Sequence, residues 1–404
     1  MLHVRDVTTG DFIVRLAKFG LGMALSAMLA TTALAQQPVK IGLITTLSGP
    51  GGYIGADVRD AFQLAIEMEG GKLGGVPVQL VVEDDGFKPG QGKQIADRMM
   101  KTDGIKLFTG IIFSNIAGAT VPDIVDGGGI YVSPNAGPSN FAGKECHKNY
   151  YVVSWQNDTL HESAGQNANN LGYKKVFILA PNYQAGKDAI AGFKRFFKGE
   201  IAGEIYTRLD QTDYAPEMAQ IRAAKPDAVY HFHPGGLGIA FTRQYQQAGL
   251  LGTIPMVVAA PSLDTNIVKA VGDAAIGING SSHWNTDFDN PANKKFMDAW
   301  TKKYGADRLP TYYASQGYDT ALAIGAALKG SGGNVTDTEK FRQAMLQADF
   351  QAVRGKFKFD KNQHPIQDWY ATKVEKGPDG KPIIKTQSKI MTDKGDVYAK
   401  DCKL

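Results

Sequence analysis

The histidines, serines and carboxylates of this chain fall short of the spacings that known chemistries need. His161-Glu162 opens like a zinc-protease helix, but the second imidazole is due at 165, where Gly165 stands. His231 and His233 project from one face of a strand, because side chains alternate along it. No Cys or carboxylate stands near them at a ligand spacing, so a structural or cleft-lining role is favoured over a metal. Gly280-Ser-Ser-His-Trp284 lacks the spacing of a nucleophile elbow, and adjacent strand residues point apart. The loop Ser48-Gly-Pro-Gly-Gly-Tyr-Ile-Gly55 lies between a strand and a helix, where a dinucleotide fingerprint would lie. Gly49 and Gly51 fit that fingerprint, but Ile54 occupies its third glycine position, and no acid ends the second strand at the required place, although Glu83 is a candidate. Gly186-Lys187 runs into Asp188 and lacks the upstream glycine of a phosphate loop. The chain is therefore expected to carry no catalysis, no cofactor and no metal.

The elements that must position these residues are bounded by composition. The 404 residues carry 44 Lys+Arg against 40 Asp+Glu, a net charge of +4, and 43% are hydrophobic. That is ordinary for a folded chain with room for two domains, and it excludes disorder and a disulfide-dense miniprotein. No long basic cluster occurs, so nucleic acid is not an expected partner. Arg15 and Lys18 precede the apolar run Phe19–Ala30 and the small-residue site Ala33-Leu-Ala35. This is the pattern of a secretory signal peptide over residues 1–35, cleaved near Ala35. Its removal takes away Arg5, Arg15 and Lys18 against Asp6 and Asp11, leaving +3. The only cysteines, Cys146 and Cys402, are expected to form one disulfide in an oxidising compartment, with two free thiols as the alternative.

Strands and helices alternate after the leader. Val39–Thr45, Val78–Val82, Ile105–Ile112 and Ile130–Ser133 read as strands. Helices are expected from Val58 to Met68, Gln91 to Lys101 and Ile116 to Val125. After a break near Tyr151–Thr159 the rhythm restarts. Strands follow at Lys175–Ala180, Asp227–Phe232 and Pro255–Ala259, with helices at Ala185–Lys198, Tyr214–Ala223 and Ile239–Gln247. Three further helices are expected near 293–304, 313–328 and 337–346. The tail, Trp369 to Ile390, reads as antiparallel strands about the turn Gly377–Gly380. Two such runs imply an α/β protein of two doubly wound, parallel-sheet lobes, with a ligand cleft at the carboxyl ends of the strands.

In this order the segments resemble the periplasmic solute-binding proteins of ABC importers, in the Leu/Ile/Val-binding family. The resemblance rests on Lys40-Ile-Gly-Leu-Ile-Thr-Thr-Leu-Ser-Gly-Pro50 with Gly55, Asp84-Asp85, Thr109–Asn115 and Ser133–Ser139. It continues through Ala180–Gly186, Gln247-Ala-Gly249 and Tyr313–Asp319. It implies the type I periplasmic-binding-protein fold, with three crossings placed near Trp155–Asp158, Ser282–Asn285 and Asp360–His364. Lobe 1 would be 38–155 plus 286–360, and lobe 2 would be 156–283 plus 365–404. The implied protein is a periplasmic monomer without enzymatic activity. It closes on a small carboxylate and delivers it to permease subunits, or serves as an exported sensor.

The resemblance also assigns a site. The ligand carboxylate would meet Ser114, which also fits as a helix cap, and the backbone of Asn135, Ala136 and Gly137. Tyr183 would close over it. Amino-acid binders of the family hold the ammonium with an acid after the strand at Met256–Ala259, where this chain reads Ala259-Ala-Pro-Ser-Leu263. A buried ammonium without a counter-charge is costly. Tyr53, Phe113, Tyr183, Trp284 and Tyr312 are expected at the cleft. An aromatic or aryl-alkenyl acid is therefore favoured, with His231 and His283 as partners for a ring hydroxyl. The alternative is an amino acid whose ammonium is met by Asp264 or another acid, with those rings packed in the core.

Overall fold

The structure, a computed structural model, describes residues 37–404. The expected leader lies outside the described residues, and among them no helix is long and apolar enough to cross a membrane.

The first sheet is built by β1 (Val39–Thr45), then α1 (Gly52–Met68), and β2 (Lys72–Leu73) turning into β3 (Val76–Asp84). It continues with α2 (Pro89–Lys101), β4 (Leu107–Thr109), α3 (Ser114–Asp126), β5 (Ile130–Ser133) and β6 (Tyr150–Val152). The strand order is β2-β3-β1-β4-β5-β6, parallel except for β2. Every residue of β4, β5 and β6 is buried, as expected where helices cover both faces of a parallel sheet.

The second set is α4 (Asn157–Asn170), β7 (Lys175–Pro181), α5 (Gln184–Phe196), β8 (Glu200–Thr207), α6 (Ala215–Ala224) and β9 (Ala228–His231). It is followed by α7 (Gly236–Gln247), β10 (Val257–Ala259), α8 (Thr265–Val271) and β11 (Asn279–Ser282). Strands β8-β7-β9 are parallel, and a bridge from Val229 to Met256 connects β9 to the strand order β10-β11-β13-β12. Between come α9 (Pro291–Tyr304), α10 (Tyr312–Ser331) and α11 (Thr338–Leu346), followed by β12 (Lys358–Phe359), β13 (Pro365–Lys376) and β14 (Pro382–Lys394). Helix α10 lies along α1 of the first set, so closely that a Cβ on Gly317 would strike the backbone of Val58. β13 runs antiparallel to β11 and β14, so the second sheet is mixed, as the alternating tail implied.

The chain passes between the two sets three times, and the passages meet on three rings. His283 stands edge-on between Trp155 and Trp369, at centroid distances of 5.6 and 5.4 Å. Beside them Arg354 is buried. Its Nε pairs with Asp319 at 2.9 Å, while Nη1 donates to the carbonyls of Val153 and Ser154 and to Oε1 of Gln367. Cys146, in the loop before β6, is bonded to Cys402, beyond β14. The tail is tied down again where Lys394 meets Glu162 at 2.9 Å and the Tyr398 hydroxyl donates to Asp158 at 2.8 Å.

Besides the short β2, β6, α8, β11 and β12, two longer elements went unread in the sequence. β8 is an edge strand with half-buried or exposed side chains, so it lacks an apolar run. α4 is polar yet almost wholly buried, which hides its period.

Candidate functional site

Three helices begin at one cavity. α3 starts at Ser114, α4 at Asn157 and α5 at Gln184, each after an extended residue: Phe113, Gln156 and Tyr183. The first N–H groups of a helix have no partner within it, and its dipole is positive at that end. The cavity also takes residues just past the carboxyl ends of β4, β5, β7, β9 and β10, where ligands bind in open α/β sheets. The cavity is narrow, with little enclosed space between the two sets.

The first set contributes Ile112, Phe113, Ser114, Asn135 and Ala136, and α10 contributes Tyr313. From the second come Leu160, His161, Tyr183, Ala185, Phe232, Pro234 and Pro261, with Trp155 and Asn157 at the passage between. Among the described residues, no Asp, Glu, Lys or Arg lines this cavity. Tyr183 stacks on Phe232 (6.2 Å, 12°) and tilts towards Phe113 at 6.4 Å.

The polar atoms are few and mostly committed. Ser114 Oγ accepts the N–H of Ala185 at 2.8 Å, linking α3 to α5. Asn135 donates through Nδ2 to the carbonyl of Ile112 at 2.7 Å, and its buried Oδ1 has no partner among the described residues. The turn is held where the Ala136 carbonyl accepts from Ser133 and Tyr150. Gly137 donates its N–H to Asn157 Oδ1 at 3.1 Å, and a Cβ there would collide with the carbonyl of Trp155. Asn157 in turn donates to Asp188, which also receives Ser139 and Gln184. Burial, reinforced by the charge of Asp158, pushes the Asp188 carboxyl up to about 6. The Nδ1 of His161 lies 2.6 Å from the Tyr230 hydroxyl, and burial lowers its imidazole to about 3, so the ring is neutral.

Of the residues expected at the site, this cavity gathers Phe113, Ser114, Asn135, Ala136 and Tyr183, with Gly137 adjoining through Asn157. Five lie outside its lining. The Tyr53 hydroxyl donates to Asp264 at 2.6 Å. Trp284 donates its indole N–H to Asn293, and with Tyr312 and Asp264 it lines a separate narrow cavity. His283 sits among the three passages. His231 packs on Phe241 with its Nδ1 3.3 Å from that of His233, inside the second set. Asp264, the alternative acid, is not among the residues lining the aromatic cavity; its carboxylate accepts the Tyr53 hydroxyl and the N–H of Ile267. Trp155, Asn157, His161, Phe232 and Tyr313 were not singled out in the sequence as ligand contacts. Trp155 and Asn157 fall in the expected crossing Trp155–Asp158, Tyr313 in the segment Tyr313–Asp319 and Phe232 at the end of β9, so each of these had a positional signal, and His161 had none.

Comparison with known proteins follows the same lines. The sequence pattern of the family described as periplasmic binding protein matches residues 38–380. The Leu/Ile/Val-binding protein homolog 6 of Brucella melitensis is 27% identical over 374 residues, covering 89% of this chain and 94% of its own. A solute-binding protein of an ABC transporter from R. palustris, solved in complex with benzoate, is 28% identical with a TM-score of 0.85. That match covers 91% of this chain and 100% of that one. A second from R. palustris, in complex with 4-hydroxybenzoate, is 27% identical with a TM-score of 0.83, covering 89% and 98%.

Proposed function

The chain belongs to the periplasmic binding protein family, as a solute-binding protein of the branched-chain amino acid type of ABC importer, and we propose that its ligand is an aromatic or aryl-alkenyl carboxylate. The observation that carries this reading is a cavity walled by Phe113, Trp155, Tyr183, Phe232 and Tyr313, lined by no charged side chain and faced by three helix starts. The rings take the apolar body of the ligand. Ser114, the Asn135–Gly137 turn and the start of α3 take the carboxylate, because the first N–H groups of a helix have no partner within it and its dipole favours an anion there. An amino acid would leave its ammonium without a counter-charge. The benzoate and 4-hydroxybenzoate complexes of the R. palustris relatives support the same class.

Lobe 1 (38–155 with 286–360) and lobe 2 (156–283 with 365–404) close about the passages, and the ligand shifts the population by favouring the closed form. Ser114 to Ala185, Ser139 to Asp188 and Tyr53 to Asp264 are the contacts that closure makes. The chain acts in the periplasm as a monomer after cleavage near Ala35, hands its ligand to permease subunits and turns nothing over. Thermal melting with benzoate, 4-hydroxybenzoate, a phenylpropenoate, leucine and valine tests the reading. A ligand at about 100 times its Kd adds about 2.7 kcal/mol. An upward shift with the aromatic acids is expected, and a shift with leucine or valine alone would overturn the ligand class.

A further inference from the structure

His161 is buried, lines the cavity and has a defined partner on one nitrogen only. Its Nδ1 is engaged by Tyr230 at 2.6 Å, whereas Nε2 has no hydrogen-bond partner among the described residues. Its ring edges onto Phe232 at 4.8 Å, and Phe232 stacks on Tyr183, which neighbours Phe113. His161 therefore stands at the far end of a row of rings that begins beside Ser114.

We propose that His161, held by Tyr230, reads a ring hydroxyl of the bound acid and makes the site selective for hydroxylated aromatic acids. The inference rests on the aromatic-acid reading of the cavity. The length fits. His161 follows Asn157 by four residues on the same face of α4, about 6 Å along the axis. Asn157 accepts the N–H of Gly137, at the turn assigned to the carboxylate. A para hydroxyl lies about as far from the carboxyl carbon of a benzoate as one such helical turn, about 5–6 Å. The chemistry fits as well. At 2.6 Å the Tyr230 hydroxyl donates to Nδ1, since its other acceptor, the carbonyl of Ala189, is 3.4 Å away. The proton then resides on Nε2, which donates to the ligand. A phenol both donates and accepts, so it pairs with this nitrogen in either tautomer. An unsubstituted ring leaves the nitrogen facing carbon, and an unmet buried polar group is penalised.

Calorimetry with benzoate and 4-hydroxybenzoate on the wild type, His161→Phe and Tyr230→Phe tests this, with melting curves to confirm folding. The wild type should favour 4-hydroxybenzoate by about tenfold or more, the worth of one hydrogen bond to a buried group. His161→Phe should bring the ratio of the two affinities close to one, and Tyr230→Phe should shrink it. A purely structural role would weaken both ligands alike and leave their ratio unchanged. Equal wild-type affinities, or an unchanged ratio in His161→Phe, would overturn the inference while the aromatic-acid reading stands. If the wild type bound neither acid, both would fall. Should His161→Phe not fold, the ratio in Tyr230→Phe decides alone.

Discussion

Tyr53, on α1, donates its hydroxyl to Oδ2 of Asp264 at 2.6 Å, while the other oxygen of Asp264 accepts the N–H of Ile267 and caps α8. The two residues belong to opposite lobes of the proposed closing unit. Burial pushes the Asp264 carboxyl up to about 7, against an ordinary 3.8. When the lobes part, water reaches it and the value falls back. Closure therefore takes up a proton between these limits, and rising pH through about 7 favours the open form. The ratio of wild-type to Asp264→Asn affinity should fall about tenfold from pH 6 to pH 8. Taking the ratio cancels Asp188, His161 and the ligand. Calorimetry at both pH values measures it, and a ratio constant with pH would dismiss the latch.

Ser114→Ala should weaken benzoate binding by roughly 1–3 kcal/mol, because a hydrogen bond to a charged group is lost. The same change removes the acceptor of the Ala185 N–H, one of the contacts made on closure. Unchanged affinity by calorimetry would take Ser114 out of the site.

The end of the cavity at Ser114 and the Asn135–Gly137 turn could be singled out because the family resemblance falls there on residues just past strand ends: Phe113-Ser114 after β4 and Asn135-Ala136-Gly137 after β5. The end at His161 could not. α4 presents Asp158, His161 and Glu162 to the interior, and their partners Arg195, Tyr230, Lys394 and Tyr398 lie far along the chain. A helix buried through distant polar pairs shows no amphipathic stripe. The aromatic residues mark a second limit. Tyr53 and Trp284 are as aromatic as Tyr183, but their polar atoms go to Asp264 and Asn293, and only tertiary contacts reveal which ring faces the void. Gly-rich strand-to-helix loops and the alternating pattern, by contrast, placed β1, β3, β4 and β5 of the first sheet and β7, β9 and β10 of the second set.

The bond between Cys146 and Cys402 closes a sequence separation of 256 residues. Cys402→Ser should lower stability by about 2–5 kcal/mol, since the unfolded chain regains the freedom that the link removes. Lys394 and Tyr398 still hold the tail to lobe 2, so the fold should survive at moderate temperature. Intact mass should rise by two hydrogens on reduction of the wild type. A melting temperature equal in both proteins would show that the link contributes nothing.

Arg354 and Asp319 form a buried pair, at 1% and 0% side-chain exposure, and the arginine also holds three acceptors that flank the crossing segments, on Val153, Ser154 and Gln367. Arg354→Met leaves the carboxylate buried without its partner and the carbonyls of Val153 and Ser154 without their donor. Breaking such a pair costs about 3–5 kcal/mol. Arg354→Lys should rescue little, because one ammonium cannot reproduce the guanidinium fork that reaches Asp319, Gln367 and two carbonyls together. Arg354→Met combined with Asp319→Asn should recover part of the loss, since the uncompensated charge is gone while the carbonyls stay unmet. Denaturant melts of the three variants check this order. A single methionine variant within about 1 kcal/mol of wild type would mean that water reaches the pair and that the passages are held by the Trp155, His283 and Trp369 rings instead.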